Sequence, residues 1–552
     1  MELKTYEDDN LENLVIKDKT YHKKMIIKRL KIYSIIFAIL VIITAIIIII
    51  IKVLSIKHNL MICIYQTEEE NETIKLINLN NEEIEFTLII DEEEFEQKIE
   101  HTFKNPGLHN VTFIFKKKLI SLENFFYENE AIIEADLSKI EAEEITSLNH
   151  LFYGCSYLKK VKFDFEEANN IQDMSYLFTC CFELESISFN FNAEKVTDMI
   201  QMFGSCESLK RVDLNLYNIN NLEYMNSMFE SSGLTYIDLS HFNLEKVKNM
   251  ENAFFDCHDL LEIKFPKSYT NSLNVMKDMF SGCNSLEKIN LDFLRTEKVA
   301  DMSNFFEGCE KLQEIDLSHL KTSKVQYISN MFLNCKSLKK IDLSYLDFEN
   351  LISIDSLFEG CYNLTFINIS SINAPTLFFF DKTFKDCMNL KSIIFPPNLR
   401  LIYSFSSTFE NCISLESIDL SVFNGIENLM KVNNMFANCT SLKKIEFPMI
   451  KASGLTSTSN MFFGCSKLEY IDMGNFLTSS DLKNLDNMFY NCSSLIFLNI
   501  SQLYTGNYFI STNNIFHGVN QPIKLIIYEN VNNALKEQIS NLTLINENQQ
   551  NF

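Results

Sequence analysis

The 552-residue sequence lacks the short motifs that mark the common enzyme families. It has no phosphate-binding G-x-x-x-x-G-K-[ST] loop, no G-x-G-x-x-G opening a helix, no H-E-x-x-H zinc motif and no G-x-S-x-G nucleophile turn. Its nine histidines are scattered along the chain. No group of a base, a nucleophile and an orienting residue stands out from the pattern. We therefore expect a protein that is not an enzyme and that has no catalytic residue and no cofactor.

Basic residues are also scarce relative to acidic ones. The chain has 49 Lys and Arg against 73 Asp and Glu, and its formal net charge is −24 at pH 7. The phosphate backbone of a nucleic acid would be repelled by such a chain. There is no basic stripe large enough to reverse this repulsion. We expect no nucleic-acid partner.

An internal repeat occupies most of the sequence. Phenylalanine returns sixteen times between Phe126 and Phe516, at intervals of 25 to 27 residues. In the copy from Val196 to Leu214, apolar residues first follow one side of a short helix and then alternate as in a short strand. A fixed period of this length indicates a solenoid in which successive strands lie parallel. The predicted fold is an α/β repeat solenoid with coils of about 26 residues, each a short helix plus a parallel strand.

These copies resemble the BspA-like class of leucine-rich repeats. The family pattern V-x-D-M-S-x-M-F-x-x-C-x-S-L-x-x-I-D-L-S-x-F is nearly reproduced by Val196 to Leu214, by Val299 to Ser318 and by Met331 to Ser344. The resemblance extends over most of residues 126–519. It implies a leucine-rich-repeat fold and a binding framework of the kind found on microbial and protist cell surfaces, often linked to adhesion. Ligands differ between members of the family, so the resemblance implies no particular ligand.

The longest apolar run, Ile32 to Ile51, contains twenty residues without a charge. This length crosses a hydrocarbon core as a helix. A buried helix and a cleaved signal peptide are the alternatives; the length of the run, the polar segment before it and the lack of a close small-x-small cleavage site argue against the signal peptide. Five Lys or Arg lie in the ten residues before the run, which favours a cytosolic amino terminus. We predict a single-pass type II signal anchor, with the repeats outside the plasma membrane or in a luminal compartment.

The apolar run and the repeat together divide the chain into five segments. A cap is expected before the first coil, since an uncovered end would expose apolar surface and a sheet edge; a separate small ligand domain is the alternative there. After the repeats, Ile523 to Tyr528 is predicted to be a last strand and Asn532 to Ile539 a short helix. The predicted segments are a cytoplasmic tail at 1–31, a transmembrane signal-anchor helix at 32–51, a spacer and amino-terminal cap at 52–125, the solenoid at 126–519 and a carboxy-terminal cap and tail at 520–552.

Thirteen of the fifteen cysteines occupy one position of the repeat. This column has no paired C-x-x-C and no accompanying histidines, which argues against zinc. Identical side chains stacked in register point the same way, which suits disulfides poorly. We expect buried free thiols that act as small hydrophobic groups, with Ser231 or Ser232 taking the position in one coil. Outside the column, Cys180 is expected to face away from the core, and Cys63 is a candidate for a disulfide-linked dimer.

Acidic residues recur at the outward position between the two inward residues of each strand. A row of carboxylates there would attract cations or a basic partner. The alternative is a solvated face, with the repulsion relieved by neighbouring bases such as Lys339 and Lys340. The candidate ligand face consists of Asp213, Asp238, Asp316, Asp342, Asp419 and Asp472.

An outside location also predicts glycosylation. Several N-x-[ST] sequons are present, and those at Asn71 and Asn110 lie before the repeats, where packing should be looser. The functional prediction is a cell-surface protein whose repeats bind a protein or matrix ligand in adhesion or recognition. A signalling receptor and an internal membrane-bound scaffold are the alternatives.

Overall fold

The computed structural model describes residues 59–544 except for 79–83, 166, 215, 371–373, 398, 479, 506–509, 521 and 528–531, together with residues 23–25, 28, 31, 39 and 41. Two compact units are present, Met1–His58 and Asn59–Phe552.

In the first unit, all described residues are helical. The predicted span from Ile32 to Ile51 lies outside the described residues except for Ile39 and Val41, whose side chains are exposed. Among the described residues, no helix has the length and apolar character that crossing a membrane requires. Most of the predicted cytoplasmic tail and the start of the predicted spacer also lie outside the described residues.

The described residues of the second unit before the repeats contain six strands, and we call this segment the cap. They are β1 (Leu60–Thr67), β2 (Glu72–Lys75), β3 (Phe86–Ile90), β4 (Glu93–Phe95), β5 (Glu100–Phe103) and β6 (Gly107–Phe115). Strand β1 pairs antiparallel with β6 on one side and with the first strand of the solenoid, β7 (Ile132–Asp136), on the other. The cap therefore covers the open edge of the first coil, and its sheet continues into the repeats in the order β4-β3-β6-β1-β7-β8-β9.

The strands of the solenoid lie parallel from coil to coil, as predicted. Each is short because only a few residues per coil have extended backbone between turns. They are β8 (Lys160–Phe163), β9 (Ser186–Phe189), β10 (Phe191–Asn192), β11 (Leu216–Tyr217), β12 (Tyr236–Asp238), β13 (Glu262–Lys264), β14 (Phe366–Asn368), β15 (Ser392–Ile394), β16 (Lys444–Glu446), β17 (Ile450–Ala452), β18 (Tyr470–Asp472), β19 (Phe476–Thr478), β20 (Phe497–Ile500) and β21 (Lys524–Ile527). A 3₁₀ turn at Ser421–Phe423 follows the strand position of its coil.

The short helix predicted for each coil is wrong. The residues two before and two after the repeating phenylalanine have positive φ in all sixteen coils, for example Asn330 at 59° and Asn334 at 60° around Phe332. A residue with positive φ does not fit inside a right-handed helix. The amides of Asn330, Phe332 and Asn334 instead donate to carbonyls of the next coil at 2.7 to 3.0 Å, while Leu333 donates back to Asn330 within its own coil. The segment is a run of turns that is tied to its neighbour like a strand, and we call this side of the solenoid the turn face.

The repeating phenylalanines form one continuous stack through the core. From Phe126 to Phe516, neighbouring rings have centroids 5.2 to 6.0 Å apart and planes within 15° of parallel. Offset stacking of this kind adds to the free energy of burial. The phenylalanine that recurs in the sequence therefore marks the centre of the core.

The cysteine column consists of buried free thiols, as predicted. All fifteen cysteines of the chain are described, and all are free. Each thiol in the column donates to the carbonyl oxygen of a repeating phenylalanine in the preceding coil, with Sγ···O distances of 2.9 to 3.2 Å. Three of the sixteen coils have no column cysteine, and Asn129, Ser232 and Val519 take the position there. Ser232 is buried next to Cys257.

The dimer predicted through Cys63 is wrong for the folded chain. Cys63 lies in β1, opposite Val111 on one side and Ala135 on the other. Its side chain is 0% exposed, so its sulfur cannot reach a second chain.

The solenoid ends with β21, which pairs parallel with β20, and with helix α1 (Asn533–Ser540). The Asn532 side chain accepts a hydrogen bond from the Ala534 amide at 2.9 Å, which caps the amino terminus of the helix. Leu535 is the buried residue of this helix.

Candidate binding surface

Outward side chains of the strands form two columns along the sheet. We call the first the acidic column, because it contains the six predicted aspartates. The second, which we call the mixed column, stands two residues earlier in each strand. Parallel pairing sets the register: Glu446, Asp472 and Asn499 are neighbours in the acidic column. Lys444 and Tyr470 are neighbours in the mixed column.

The structure places all six predicted aspartates at equivalent positions of their coils. Five of them accept a hydrogen bond at 2.8 to 2.9 Å from the backbone amide two residues further on, which ends the strand in a tight turn. Those five are Asp238, Asp316, Asp342, Asp419 and Asp472. The sixth, Asp213, is exposed and forms a parallel bridge with Ser188. Most of these carboxylates thus have a structural role beside any contact with a ligand.

The acidic column is not an unbroken row of carboxylates. Lys264 stands in it next to Asp238, and their side chains form an ion pair of 2.8 Å. The hydrogen bond from Lys264 holds the pKa of Asp238 well below its usual value. An uncharged side chain, Ile394, occupies another position of the column and is 47% exposed. These interruptions relieve part of the repulsion between carboxylates and weaken the attraction for cations, although Glu446 and Asp472 remain direct neighbours.

The mixed column contains functional candidates that the sequence reasoning missed. Tyr470 and Phe497 stack with ring centroids 4.3 Å apart, and the Lys444 ammonium lies 4.9 Å from the Tyr470 ring on the next coil. In the same column, the Arg211 guanidinium lies 5.7 Å from the centre of the Tyr236 ring on the next coil. The signal available in the sequence was an aromatic residue at a position that other coils fill with lysine or glutamate.

The sheet β16-β18-β20-β21 carries both columns side by side on neighbouring strands. Lys444 forms an ion pair of 2.6 Å with Glu446 of the same strand, and the Asn499 amide donates to Asp472 at 2.8 Å. These contacts hold the Lys444–Glu446 ion pair, the Asp472–Asn499 hydrogen bond and the stacked rings of Tyr470 and Phe497 in fixed positions. We call this surface the C-terminal strand face; it consists of Lys444, Glu446, Tyr470, Asp472, Phe497 and Asn499.

A cleft of about 570 Å³ lies where the cap meets the first coils. Its apolar lining includes Ile74, Ile133 and Tyr157. Its charged lining consists of Glu68, Glu72, Lys75, Glu128, Glu130, Lys159 and Glu183. In the described part of the chain, no cluster of three or more His, Cys, Asp or Glu is arranged to hold a metal ion.

The two predicted glycosylation sites both lie in the cap and are exposed. Asn71 is in the turn before β2 and has a φ of 57°. Asn110 is in β6, where its backbone amide donates to the Asp91 carboxylate at 2.9 Å. Their side chains are accessible, and glycosylation there remains a prediction.

Two family descriptions match this chain. The family described as BspA type leucine-rich repeat region matches residues 82–210, 355–496 and 432–533, which together exceed half of the chain. The chain belongs to the BspA-type leucine-rich repeat family. A family described as Mycoplasma protein of unknown function, DUF285, matches residues 162–265 and 262–371 of the same solenoid. Repeats of the BspA type act as scaffolds for binding and recognition, and neither match indicates an enzyme.

Solved structures of other leucine-rich proteins are similar to this chain. A leucine-rich cell surface protein from Faecalibacterium prausnitzii is 18% identical, with a TM-score of 0.30 over 59% of this chain and 83% of that chain. An LRR protein from Leptospira interrogans is 14% identical, with a TM-score of 0.22 over 65% and 90%. The functional domain of InlJ from Listeria monocytogenes is 13% identical, with a TM-score of 0.16 over 72% and 70%. Among curated proteins, no relative matches the sequence significantly.

Proposed function

We propose that this chain is a membrane-anchored recognition protein whose repeats bind a protein ligand outside the cell, as in adhesion. The family supports the binding role, and the charge-free run from Ile32 to Ile51 supports the anchor. The proposed ligand surface is the strand face, including the predicted aspartates of the acidic column. The observation that carries this proposal is the C-terminal strand face, where the stacked pair Tyr470 and Phe497 stands beside the carboxylate of Asp472.

The chemistry of this face favours a protein ligand. Aromatic side chains with fixed neighbours contribute strongly to protein interfaces because little side-chain entropy is lost on binding. The paired charges Lys444 and Glu446 offer both signs at the rim, which suits a polar peptide surface better than a polyanion. The ligand is therefore expected to combine apolar side chains with both charge signs.

Ligand binding is tested with cells that display the full chain. Saturable adhesion to immobilised matrix proteins and to other cells would be measured for the wild type and for the double variant Tyr470→Ala and Phe497→Ala. We expect the double variant to lose most saturable adhesion while its melting temperature changes little. Phe182→Ala, which removes another exposed aromatic side chain away from the strand face, is the matched control. Equal adhesion by all three proteins would exclude the C-terminal strand face as the ligand surface.

The outside location is tested by protease accessibility on intact cells that express the chain with a carboxy-terminal tag. Removal of the tag by external protease is the expected result. Survival of the tag until the cells are permeabilised would place the repeats inside and would favour a scaffold over an adhesion role.

A further inference from the structure

A row of apolar side chains lies on the turn face, away from the strand face. It consists of Ile352, Phe378, Tyr403 and Met430, one from each of four successive coils. Backbone hydrogen bonds link the row directly: each residue after Ile352 donates its amide to the carbonyl of the one before, at 2.9 to 3.0 Å. Four side chains are thus held in line along the solenoid, and we call them the apolar row.

The apolar row is a departure from the repeat and is not needed by the core. Residues immediately before each member, such as Leu351 and Leu377, face inward and are buried. At the position of the row, most other coils carry polar side chains. These are Thr146, Gln172, Thr197, Glu223, Lys248, Asn274, Gln326, Thr456 and Lys483. Ile120 and Ala300 are apolar exceptions at this position in coils that lie apart from the row. Only in the four coils of the row do large apolar side chains follow one another, with Phe378 and Tyr403 exposed and Ile352 and Met430 half-buried, which indicates a local binding function rather than packing.

Neighbouring residues widen the row into an exposed patch. Phe378 is 40% exposed, Phe379 42%, Leu401 41% and Tyr403 36%. Phe379 contacts both Phe378 and Tyr403, with ring centroids 6.5 Å apart in each case. Since a Phe or Tyr side chain has about 150 to 250 Å² of surface, the patch exposes on the order of 300 Å². A stable pair of folded proteins buries about 800 Å² on each partner, so this patch fits a short segment better than a second copy of the chain.

Unpaired positive charge borders the row in an acidic protein. Lys382, Arg400 and Lys431 are exposed next to its members, and none of the three forms an ion pair with a described residue. Nearby carboxylates are already engaged. Asp355 and Asp381 each accept a backbone amide, at 2.7 and 2.8 Å, and Glu427 pairs with Lys451 at 2.7 Å. Lys382 lies close enough to Asp355 to favour the charged form of that carboxylate, whereas Arg400 and Lys431 have no such partner among the described residues. In a chain with a net charge of −24, these cations beside an apolar patch favour an acidic partner.

The spacing of the row matches a helix. Parallel strands are about 4.8 Å apart, so four coils span about 14 Å. Three turns of an α-helix advance about 16 Å, whereas four same-side residues of an extended peptide span about 20 Å. We propose that the apolar row binds an acidic amphipathic α-helix of a partner protein, with apolar side chains at i, i+3 or i+4, i+7 and i+11 against the four members of the row. This site is separate from the strand face and goes beyond the function proposed above.

The proposal is tested with the full chain and three fluorescent peptides of equal length. The first is an amphipathic helix with leucines on one face and glutamates beside them, the second has the same composition in scrambled order, and the third has lysines in place of the glutamates. Binding is followed by fluorescence anisotropy. We expect the first peptide to bind and the other two to bind at least about tenfold more weakly.

Two variants locate the binding site. The double variant Phe378→Ser and Tyr403→Ser should weaken binding of the glutamate peptide by at least about tenfold. The triple reversal Lys382→Glu, Arg400→Glu and Lys431→Glu should exchange the preference, so that the lysine peptide binds better than the glutamate peptide. Phe182→Ser, an exposed aromatic residue elsewhere on the solenoid, is the matched control and should bind as the wild type does. Melting temperatures close to that of the wild type show that each variant is folded.

Several results would overturn the proposal. They are failure of the glutamate peptide to bind, equal binding of the scrambled peptide, and full binding by the folded double variant. A wild-type dimer in sedimentation that the double variant abolishes would assign the row to self-association instead. Adhesion through the strand face can persist in each case, so these outcomes leave the function proposed above standing.

Discussion

Thirteen buried thiols show how one residue type can serve the same purpose in coil after coil. Each one donates to the carbonyl of a phenylalanine in the preceding coil, which also accepts a backbone amide within its own coil, as Phe306 does from Cys309. Burial raises the pKa of each of these thiols, so the reactive thiolate is strongly disfavoured. Cys180 differs because it occupies a position of positive φ, at 61°, on the turn face and is partly exposed. Its location agrees with the prediction that it faces away from the core.

This difference predicts selective alkylation. Treatment of the native full chain with iodoacetamide at mildly alkaline pH should label Cys180 first, because reagent reaches its sulfur while the other fourteen cysteines are buried. Mass spectrometry of peptides measures the labelling at each position. Cys180→Ser should remove the fast labelling, and denaturant should make all fifteen cysteines reactive. Labelling of Cys335 in the native chain as fast as Cys180 would contradict the buried column.

Among the elements of each coil, the strand was predictable and the helix was not. The apolar positions Met199, Met202 and Phe203 fit one side of a helix, but a run of turns buries the same positions. Periodicity therefore could not separate the two structures. The decisive signal lay in the residues two before and two after the phenylalanine, which are mostly Asn, Ser, Asp or Gly. Those residue types tolerate positive φ, and their recurrence at both positions indicates turns.

Asn252 on the turn face has a φ of 56°. This backbone conformation predicts which substitutions at the position reduce stability. Asn252→Val places a β-branched side chain at positive φ, and the strain should reduce the free energy of unfolding by about 1 to 2 kcal/mol. Asn252→Gly should be close to the wild type, because glycine adopts this φ without strain and keeps the amide that donates to Lys277 at 3.1 Å. Thermal unfolding followed by circular dichroism measures the differences.

A control for this comparison is Glu251→Val at the preceding position, where φ is not positive. It introduces the same side chain without the backbone strain, so it should destabilise less than Asn252→Val. Equal destabilisation by the two valine variants would show that backbone strain is not the reason for asparagine at this position.

For the whole solenoid, the sequence predicted the repeating core and the parallel strands but only part of the candidate binding surfaces. The phenylalanine and cysteine columns repeat in nearly every coil, so their period identifies them without a structure. The apolar row occupies only four coils, and one sequence does not show which departures from a repeat face solvent together. Likewise, Asp238 was predicted as a candidate ligand, but its ion pair with Lys264 depends on the register between two coils.

Each coil contacts mainly its neighbours, so damage to one coil should stay local. Phe306 is fully buried and stacks with Phe280 and Phe332 at 5.5 and 5.9 Å. Phe306→Ala removes both ring contacts and leaves a cavity, which should cost about 3 to 5 kcal/mol. We expect hydrogen exchange to accelerate in the three coils around residue 306 and to stay unchanged in the cap strand β1 and in β20.

The matched control is Phe366→Ala, which removes a ring that is 45% exposed in β14 and should change exchange little. Mass spectrometry of exchanged peptides gives the rate in each coil. If Phe306→Ala accelerated exchange equally from β1 to β20, the solenoid would unfold as one cooperative unit, because the stacked ring column would then couple distant coils. Acceleration limited to adjacent coils would instead mean that a ligand bound to one part of the solenoid stabilises that part and leaves the remainder free to open.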